Sequence, residues 1–395
     1  MRILALKSFH ADGGWRPFSF LKITTDEGLV GWSEYSLGIW APALPEVIEA
    51  LESLVVGSDP RSFRKITAAL QANTRFAAGG LNQQAISAIE NACIDIAAKA
   101  ANVPVHALFG GPIREEVDLY WSHCGSFRAR DRDYFEKTLG LPPLMDLKDV
   151  APLAEEVVAR GYKAAKINPI HFTAAGPRLL NPGFAPGVDL ARRLDGASLA
   201  AIEAQLATFT EALAGRSEAM LDLNFGFSTN GFIQICRHVA HLPLRWLEID
   251  SHDPADLAQI RRNTQTPLAS LEAVYGRSAF APFLRYKAAD VAIIDLLWNG
   301  MGEAVRMADL ADLHGVNVAP HNFYGPLADL MAANFGASVP NFEIMEFEGD
   351  DVPWKYELLS QPIGVRRGVM PVPKGVGWGA DIDEHAIAEY PWPRR

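Results

Sequence analysis

The feature that most limits how this chain can fold is an alternation of short β-rich runs with longer helical stretches beyond about residue 112. The runs that predict strands are VDLYWS (117–122), KAAKIN (163–168), AMLDLN (219–224), LRWLEI (244–249), PLASLE (267–272), VAIID (291–295), VNVAP (316–320) and FEIMEF (342–347). Strands that alternate with helices form parallel βαβ units with right-handed crossovers, and eight such units close into a barrel. The alternation therefore predicts an α/β fold, a (β/α)8 barrel.

One polar or ionisable residue recurs near the C-terminal end of six successive runs, at intervals of 23 to 26 residues. These residues are Asp222, Glu248, Glu272, Asp295, His321 and Glu346. In a parallel barrel the C-terminal ends of the strands face one mouth, where active sites are built. We therefore expect the six side chains to converge. Two gaps between runs are longer, and residues 123–160 and 169–197 are predicted to be loop-like inserts.

The segments before and after the barrel have different patterns. FSFLKIT and VGWSEY flank a polar turn, and apolar residues spaced three and four apart predict a helix over 85–100. A Gly/Pro-rich tail follows the last strand and is expected to pack back onto the first unit. The predicted domains are an N-terminal α+β capping domain (1–112), the barrel (113–350) and a C-terminal segment (351–395).

Composition excludes several classes of protein. The net charge of −11 leaves no basic stripe for nucleic acid, and no apolar run is long enough to span a bilayer. The three cysteines show no CxxC spacing, so they predict neither a disulfide framework nor a zinc site. The first residues lack the pattern of a signal peptide, and we expect a cytoplasmic protein.

Three of the strand-end residues, Asp222, Glu248 and Glu272, predict a metal site. Converging carboxylates in a partly buried site cannot all stay ionised without a cation. All-oxygen ligation suits Mg²⁺ rather than Zn²⁺. A zinc hydrolase would need several histidine ligands, and His321 is the one histidine in the strand-end set. The alternative for any single acid is an ordinary surface residue.

The next two strand ends predict a proton-transfer pair. An imidazole that is hydrogen-bonded to a carboxylate has a fixed tautomer and raised basicity, so His321 with Asp295 can act as a general base. Lys166, at the end of the second strand, can bind a substrate carboxylate or, with a depressed pKa, exchange protons itself. Asn168 and Asn224 are amides that can orient ligands. Glu346, if protonated, can donate a hydrogen bond to a developing enolate.

At these residues the sequence resembles the enolase superfamily and, within it, the mandelate racemase subgroup. The resemblance extends over nearly the whole chain, in TDEGLVGWSEY, SAIENACIDIAAKAANVPVHALFGG, GYKAAKIN, LDLNFGF, RWLEID, LASLE, IIDLLWNGMGEA, VAPHNFYGPL, NFEIMEFE and RGVMPVPKGVGWG. It implies a modified TIM barrel whose capping domain is completed by the C-terminal tail. It further implies Mg²⁺ on Asp222, Glu248 and Glu272, a His321–Asp295 dyad, Glu346 hydrogen-bonded to the substrate carboxylate, and Lys166 as the first lysine of a Lys-x-Lys motif.

The sequence departs from the subgroup where the second lysine of that motif is replaced by Asn168. A racemase needs acid/base groups on both faces of the α-carbon, whereas a dehydratase can use His321 in one or both roles. The resemblance therefore implies an acid-sugar dehydratase that converts an aldonate or aldarate to a 2-keto-3-deoxy acid. The alternatives are a racemase or epimerase, a lactone cycloisomerase, and a non-catalytic relic. If His321 is only the acid, Lys166 or a residue of the 169–197 insert, such as His171, must be the base.

Loops over the mouth are expected to set specificity, and family resemblance implies a homo-oligomer, either an octamer or a dimer. The HADGGWR loop has glycines that suit a mobile flap. Its Trp15 and Arg16, together with His123 after the first barrel strand, are predicted to contact the substrate. Three further candidates are Trp40, Arg75 and Phe76.

Overall fold

The computed structural model of the protein describes residues 1–38, 41–181 and 192–392. In these ranges the strands are β1 (Ile3–Asp12), β2 (Pro17–Thr25), β3 (Val30–Tyr35), β4 (Glu116–Ser122), β5 (Ala164–Ile167), β6 (Ile170–Thr173), β7 (Gly176–Leu179), β8 (Glu218–Asn224), β9 (Leu244–Ile249), β10 (Leu268–Ser270), β11 (Val291–Asp295), β12 (Asn317–His321), β13 (Met345–Glu348) and β14 (Val369–Pro371).

The α-helices of the same ranges are α1 (Leu44–Val55), α2 (Phe63–Asn73), α3 (Gly80–Ala101), α4 (Ser126–Arg130), α5 (Arg132–Lys137), α6 (Val150–Arg160), α7 (Gly196–Leu213), α8 (Thr229–His238), α9 (Pro254–Arg261), α10 (Gly276–Arg285), α11 (Leu296–Asn299), α12 (Met301–Leu313), α13 (Pro326–Ser338) and α14 (Glu384–Glu389). Short 3₁₀ helices cover Pro60–Ser62, Arg75–Ala77, Val105–Phe109, Leu147–Asp149 and Lys355–Leu358. None of these helices has the length and apolar character that a membrane crossing requires.

The predicted barrel is present. Its parallel strands lie side by side in the order β12, β11, β10, β9, β8, β5, β4 and β13. The sheet closes where the Val318 N–H donates to the Asn341 carbonyl (2.8 Å) and the Glu343 N–H donates to the Val318 carbonyl (2.9 Å). Each predicted run overlaps one of these strands, so the strand-end residues all belong to one mouth.

A separate cluster of buried side chains fills the barrel interior. Its members are Tyr120, Ala164, Met220, Trp246, Ala269, Val291, Ile293, Ala319 and Ile344. Tyr120 and Trp246 meet edge to face, with ring centroids 5.5 Å apart. Because alternate residues of a barrel strand point inward, this packed interior supports the strand ends from below.

The N-terminal unit packs an antiparallel sheet, in the order β1, β2 and β3, against helices α1 and α3, and α2 packs on those two helices. The helix predicted over 85–100 is α3, which ends at Asn102 in the left-handed conformation (φ 54°). Every residue from Gln84 to Ala98 is buried. This helix lies between the sheet and the barrel segments after β11, so its polar faces are covered as well as the predicted apolar face.

The two predicted loop inserts contain regular structure, which corrects the prediction. Residues 123–160 include α4, α5 and α6, and apolar residues of α6 at spacings of three and four are buried. Gly161, with a φ of 79°, ends α6 in the left-handed region that favours glycine. The second insert begins with the antiparallel hairpin of β6 and β7. Residues 182–191 of that insert lie outside the described ranges.

The tail contacts both the barrel and the N-terminal unit. Strand β14 pairs antiparallel with β4. The Trp378 indole donates to the Trp32 carbonyl at 2.8 Å, and the Asp12 N–H donates to the Tyr390 carbonyl at 2.8 Å. The last two contacts join segments more than three hundred residues apart. The domain boundaries at 112 and 350 stay a prediction.

Candidate active site

Two of the three predicted metal ligands stand side by side at the ends of neighbouring strands. Asp222 in β8 and Glu248 in β9 are register partners in a parallel pair. Glu272 lies two residues beyond the end of β10, and all three side chains are buried. Asn224 joins two of them, since its N–H donates to Asp222 Oδ1 (2.9 Å) and its Nδ2 donates to Glu272 Oε1 (3.0 Å).

These carboxylates place a surplus of negative charge in a buried site. Burial raises the pKa of Asp222, raises that of Glu248 to about 7, and raises that of Glu272 well above its ordinary value, with neighbouring carboxylates adding to each effect. Oxygen donors of this kind fit a hard divalent cation such as Mg²⁺. Among the described residues, however, no three acidic, histidine or cysteine side chains stand in metal-holding geometry.

A fourth buried carboxylate, Asp250, was not predicted as a site residue. Its Oδ1 accepts from Ser270 Oγ (2.9 Å) and the Leu271 N–H (3.2 Å), while its Oδ2 is buried and accepts no hydrogen bond from the described residues. Burial and the nearby charge of Glu248 raise the pKa of Asp250 to about 6. Its place two residues after Glu248 was the one available signal, and its unpartnered oxygen is further donor chemistry suited to a cation.

Lys166 is the positive charge at the centre of this acidic mouth. Its Nζ lies 2.7 Å from Glu248, 2.9 Å from Glu346 and 3.8 Å from Asp222. Burial alone would lower the pKa of Lys166, but these carboxylates raise it well above its ordinary value. Lys166 is therefore paired as an ammonium with these carboxylates, which suits binding of an anion, and its alternative role in proton exchange stays a prediction.

The predicted dyad is formed. Asp295 and His321 are register partners in β11 and β12, and His321 Nδ1 lies 2.6 Å from Asp295 Oδ2. His321 Nε2 lies 3.5 Å from Glu272. Burial opposes protonation of His321, but Glu272 and the bond to Asp295 together raise its pKa to about 10.

Tyr324 is a member of this group that the sequence analysis missed. Its hydroxyl donates to Asp295 Oδ2 at 2.5 Å and lies 3.4 Å from His321 Nδ1. Burial raises the pKa of Tyr324 well above its ordinary value, so the phenol stays protonated and acts as a donor. The only signal in the sequence was its place three residues after His321.

Glu346 has an acceptor role in this arrangement. Ser122 Oγ donates to its Oε1 (2.5 Å) and the Asn322 N–H donates to its Oε2 (2.7 Å). Burial disfavours the carboxylate, but Lys166 and His321 lower the pKa of Glu346 below its ordinary range. A hydrogen bond from Glu346 to a developing enolate would need a protonated Glu346, and that role stays a prediction.

Asn168, which replaces the expected second lysine, is a fixed amide. Its Oδ1 accepts from Ser126 Oγ (2.7 Å) and its Nδ2 donates to Asp222 Oδ2 (3.3 Å). Its backbone carbonyl accepts from Gln205 Nε2 (3.1 Å). Asn168 and Asn224 thus each donate a hydrogen bond to an acidic side chain of the mouth, and their role in substrate binding stays a prediction.

Two predicted specificity residues form part of an aromatic wall beside the dyad. The Trp15 ring stacks on Phe127 with centroids 3.9 Å apart, and the Phe127 ring lies 4.9 Å from His123. His123 Nδ1 lies 3.2 Å from Glu348 Oε2. The Phe323 ring lies 5.2 Å from His123 and 5.1 Å from His321, which places the wall next to the dyad.

Arg16 is buried behind this wall, with its guanidinium 4.1 Å from the Trp15 ring. Its Nη2 donates to the Tyr324 carbonyl (3.0 Å) and to Asp351 (2.9 Å), so Arg16 supports the segment after His321. Phe76 lies apart from the wall, with 91% of its surface exposed. Trp40 lies outside the described residues.

Comparison with known proteins identifies the class that this fold and site define. Residues 8–110 match the N-terminal domain of the mandelate racemase / muconate lactonizing enzyme family, and residues 149–386, more than half of the chain, match the enolase C-terminal domain-like family. The chain therefore belongs to the enolase superfamily, in its mandelate racemase and muconate lactonizing enzyme group. This confirms the resemblance inferred from the sequence.

Individual relatives differ in the reactions that their names describe. A D-xylonate dehydratase of Haloferax volcanii is 26% identical over 95% of this chain and 85% of its own length. A D-galactarolactone cycloisomerase of Agrobacterium fabrum is 29% identical over 96% of this chain and 92% of its own. A Burkholderia xenovorans structure, provisionally named an L-alanine-DL-glutamate epimerase and bound to magnesium and fumarate, is 38% identical with a TM-score of 0.94, covering 98% of this chain and 96% of that one.

Proposed function

We propose that the protein is a Mg²⁺-dependent acid-sugar dehydratase that converts an aldonate or aldarate to a 2-keto-3-deoxy acid. The observation that carries this proposal is the asymmetry of the mouth. One side has the His321–Asp295 dyad. On the side of β5, the second position of the Lys-x-Lys motif is Asn168, an amide that cannot take up a proton. A site with one such acid/base group suits dehydration, in which His321 can both remove the α-proton and protonate the leaving hydroxyl. It suits racemisation less well, because racemisation needs acid/base groups on both faces of the α-carbon.

Asp222, Glu248 and Glu272 would hold the cation, and the magnesium of the Burkholderia relative supports that assignment. When bound, Mg²⁺ would neutralise the negative charge that grows on the substrate carboxylate as the α-proton leaves. The Lys166 ammonium, which lies 2.7 Å from Glu248, would pair with the same carboxylate from the side of the mouth that holds the cation. Asn168 and Asn224 would keep the acidic side chains oriented.

His321 would carry out the proton transfers. Asp295 fixes the Nδ1 side of the ring. Glu272 is the charge that does most to raise the pKa of His321, and its use as a cation ligand would cancel that effect, leaving a neutral Nε2 to take the α-proton as the C–H bond breaks. The same proton, returned to the β-hydroxyl, would let the C–O bond break and water leave. The resulting enol would tautomerise to the 2-keto acid, so the net change is the loss of one water molecule.

A lactone cycloisomerase is the second candidate, because the relative from Agrobacterium fabrum shares nearly the full length of the chain. An epimerase is disfavoured by Asn168, although the provisional name of the Burkholderia relative keeps that reaction in the test. The three reactions leave different products. Dehydration alone creates a keto acid with loss of water, whereas both isomerisations conserve mass.

The test is a screen of the purified protein with Mg²⁺ against aldonates, aldarates and their lactones, with keto acids detected as semicarbazones. We expect keto acid from at least one acid sugar, abolished by EDTA and reduced at least about 100-fold in His321→Asn. His106→Asn is the matched control, since His106 is also buried but bonds to the Pro373 carbonyl at 3.2 Å. If no keto acid forms, NMR in D₂O decides: exchange of the α-proton without a keto product would indicate an isomerase, and no exchange would refute catalysis on these substrates.

A further inference from the structure

Helix α3 of the N-terminal unit presents a row of polar side chains to the barrel. Gln84, Ser87 and Asn91 follow one another at spacings of three and four, so they lie on one face of the helix. All three are buried, and the side chains of Ser87 and Asn91 have no exposed surface. Buried polar groups destabilise a fold unless they are hydrogen-bonded. The hydrogen-bond partners of these three side chains therefore show which part of the barrel the helix holds in place.

Asn91 binds the segment that follows Asp295 at both ends. Its Nδ2 donates to the Leu296 carbonyl (3.0 Å), and its Oδ1 accepts from the Met301 N–H (2.8 Å). Because the two ends of the amide have opposite roles, this pair of bonds fixes the side chain in one orientation. A single residue of the N-terminal unit therefore spans the whole of helix α11.

Ser87 and Gln84 hold the same segment at its middle. Ser87 Oγ lies 2.8 Å from the Trp298 carbonyl and 2.8 Å from the Gln83 carbonyl, between which its one proton is shared. Gln84 Nε2 donates to the Tyr275 hydroxyl (2.9 Å), and the Tyr275 ring stacks on Trp298 with centroids 5.9 Å apart. Ser87 thus contacts the backbone of Trp298, and Gln84 contacts Tyr275, whose ring packs on the Trp298 ring.

Trp298 in turn contacts both members of the dyad. The backbone N–H of Trp298 donates to Asp295 Oδ1 at 2.8 Å, while Asp295 Oδ2 faces His321. Its ring meets the His321 ring nearly edge to face, with centroids 5.3 Å apart. A displacement of the segment would therefore move the carboxylate that orients the imidazole.

The segment cannot set this geometry by itself. Helix α11 has four residues and is followed by Gly300 with a φ of 82°. A single helical turn has almost no intrinsic stability, so its position depends on contacts from outside. Most of those contacts come from α3, while Asn299 adds bonds to the Val274 carbonyl and the Gly276 N–H.

We propose that Asn91 and Ser87 are positioning residues that hold helix α11, and through the Trp298 N–H hold Asp295 in register with His321. The inference rests on the proposed function in that the dyad is taken to transfer protons. The N-terminal unit then does more than cover the mouth: it sets the geometry of the proton-transfer group from the far side of the barrel wall.

The test compares Asn91→Leu with Asn334→Leu. Asn334 is a matched control because it is equally buried and bonds to the His106 N–H and the Trp378 carbonyl, away from the dyad. On the substrate found in the screen, we expect Asn91→Leu to lower kcat about 10- to 100-fold with KM within about twofold. Asn334→Leu should lower the unfolding temperature comparably and leave kcat within about twofold. Equal loss of kcat in the two variants would overturn the proposal.

A crystal structure of Asn91→Leu provides a readout that does not depend on turnover. The distance from Asp295 Oδ2 to His321 Nδ1, 2.6 Å in the wild type, should exceed hydrogen-bond range in the variant. An unchanged dyad would overturn the positioning role even if no substrate had been found. Should Asn91→Leu fail to fold, Ser87→Ala removes only one hydroxyl, and we expect it to lower kcat about threefold or more at unchanged KM. Full kcat in Ser87→Ala would then refute the proposal.

Discussion

Asp295 accepts three hydrogen bonds through its two carboxylate oxygens. The Trp298 N–H binds Oδ1, whereas His321 Nδ1 and the Tyr324 hydroxyl both face Oδ2, at 2.6 and 2.5 Å. Charge-assisted bonds of this kind are short and hold their partners in a fixed direction. Tyr324 and His321 therefore share one oxygen of Asp295, and the bond from Tyr324 also restricts rotation of the Asp295 carboxylate.

At this scale we predict that Tyr324→Phe lowers kcat/KM about 10- to 100-fold, because one buried hydrogen bond to a charged group contributes about 1.5–3 kcal/mol. Steady-state kinetics on the screened substrate measures the effect. The control is Tyr356→Phe, in which a hydroxyl of a partly buried tyrosine is removed from another buried carboxylate, Asp329, its acceptor at 2.9 Å. Similar losses in both variants would show that Tyr324 acts only through general packing.

At the scale of elements, two carboxylates of the N-terminal unit are buried against barrel segments. Glu34, in β3, accepts from the N–H groups of Gly325, Leu327 and Ala328 at the start of α13. Glu90, in α3, lies so close to Gly300 and Gly302 that a Cβ at those glycines would lie 2.0 and 3.0 Å from its oxygens. Burial is the main cause that raises the pKa of each to about 7.

The Glu90 shift predicts a pH-dependent stability. Its pKa is raised from 4.5 when the chain folds, so the folded state binds the proton more tightly than the unfolded state does. The resulting stabilisation is present below pH 4.5 and is lost as the pH rises through about 7. Relative to Glu90→Gln, the wild type should lose about 3 kcal/mol of unfolding free energy over that window. Urea unfolding at pH 5, 6, 7 and 8 measures the difference, and parallel pH profiles would contradict the prediction.

At the scale of the whole molecule, the buried carboxylate of Asp95 joins three distant parts of the chain. It accepts from the Trp32 N–H of β3 (2.9 Å), from Lys99 Nζ of α3 (2.7 Å) and from the Trp378 N–H of the tail (3.1 Å). Lys99 also pairs with Asp381, so the tail is held by charge as well as by its backbone. The N-terminal sheet and the C-terminal tail are thus fastened to one helix.

We predict that Asp95→Ala destabilises the protein by about 3–5 kcal/mol, because the substitution leaves two buried N–H groups without their acceptor and removes one of three partners of the Lys99 ammonium. Asp133→Ala removes an exposed partner of Lys137 and should leave the unfolding midpoint unchanged. Calorimetric unfolding of the two variants distinguishes these outcomes. A small effect of Asp95→Ala would mean that the tail is held mainly by its apolar contacts.

Most of the barrel and much of the site could be predicted because their signals are local. Alternating strands and helices permit few topologies, and a residue at the end of a parallel strand must face the mouth. That reasoning led to Asp222 and Glu248, and to Asp295 and His321, which the structure places as register partners. It could not show the helices of residues 123–160, where Pro and Gly obscured the apolar period of α6.

Only the tertiary structure decided which site residues are hydrogen-bonded to one another and which of them are charged. Tyr324 and Asp250 became site residues through contacts with Asp295 and Ser270 on other strands, which no spacing in the sequence reveals. Whether Lys166 is an ammonium depends on how many carboxylates lie within a few ångströms of it. The polar row of α3 has a role only because the N-terminal unit packs against the segment after β11. Pattern along a chain determines which elements form, because periodicity is a property of neighbouring residues. Proximity between elements determines electrostatics and positioning, because both depend on distances that only the packed molecule has.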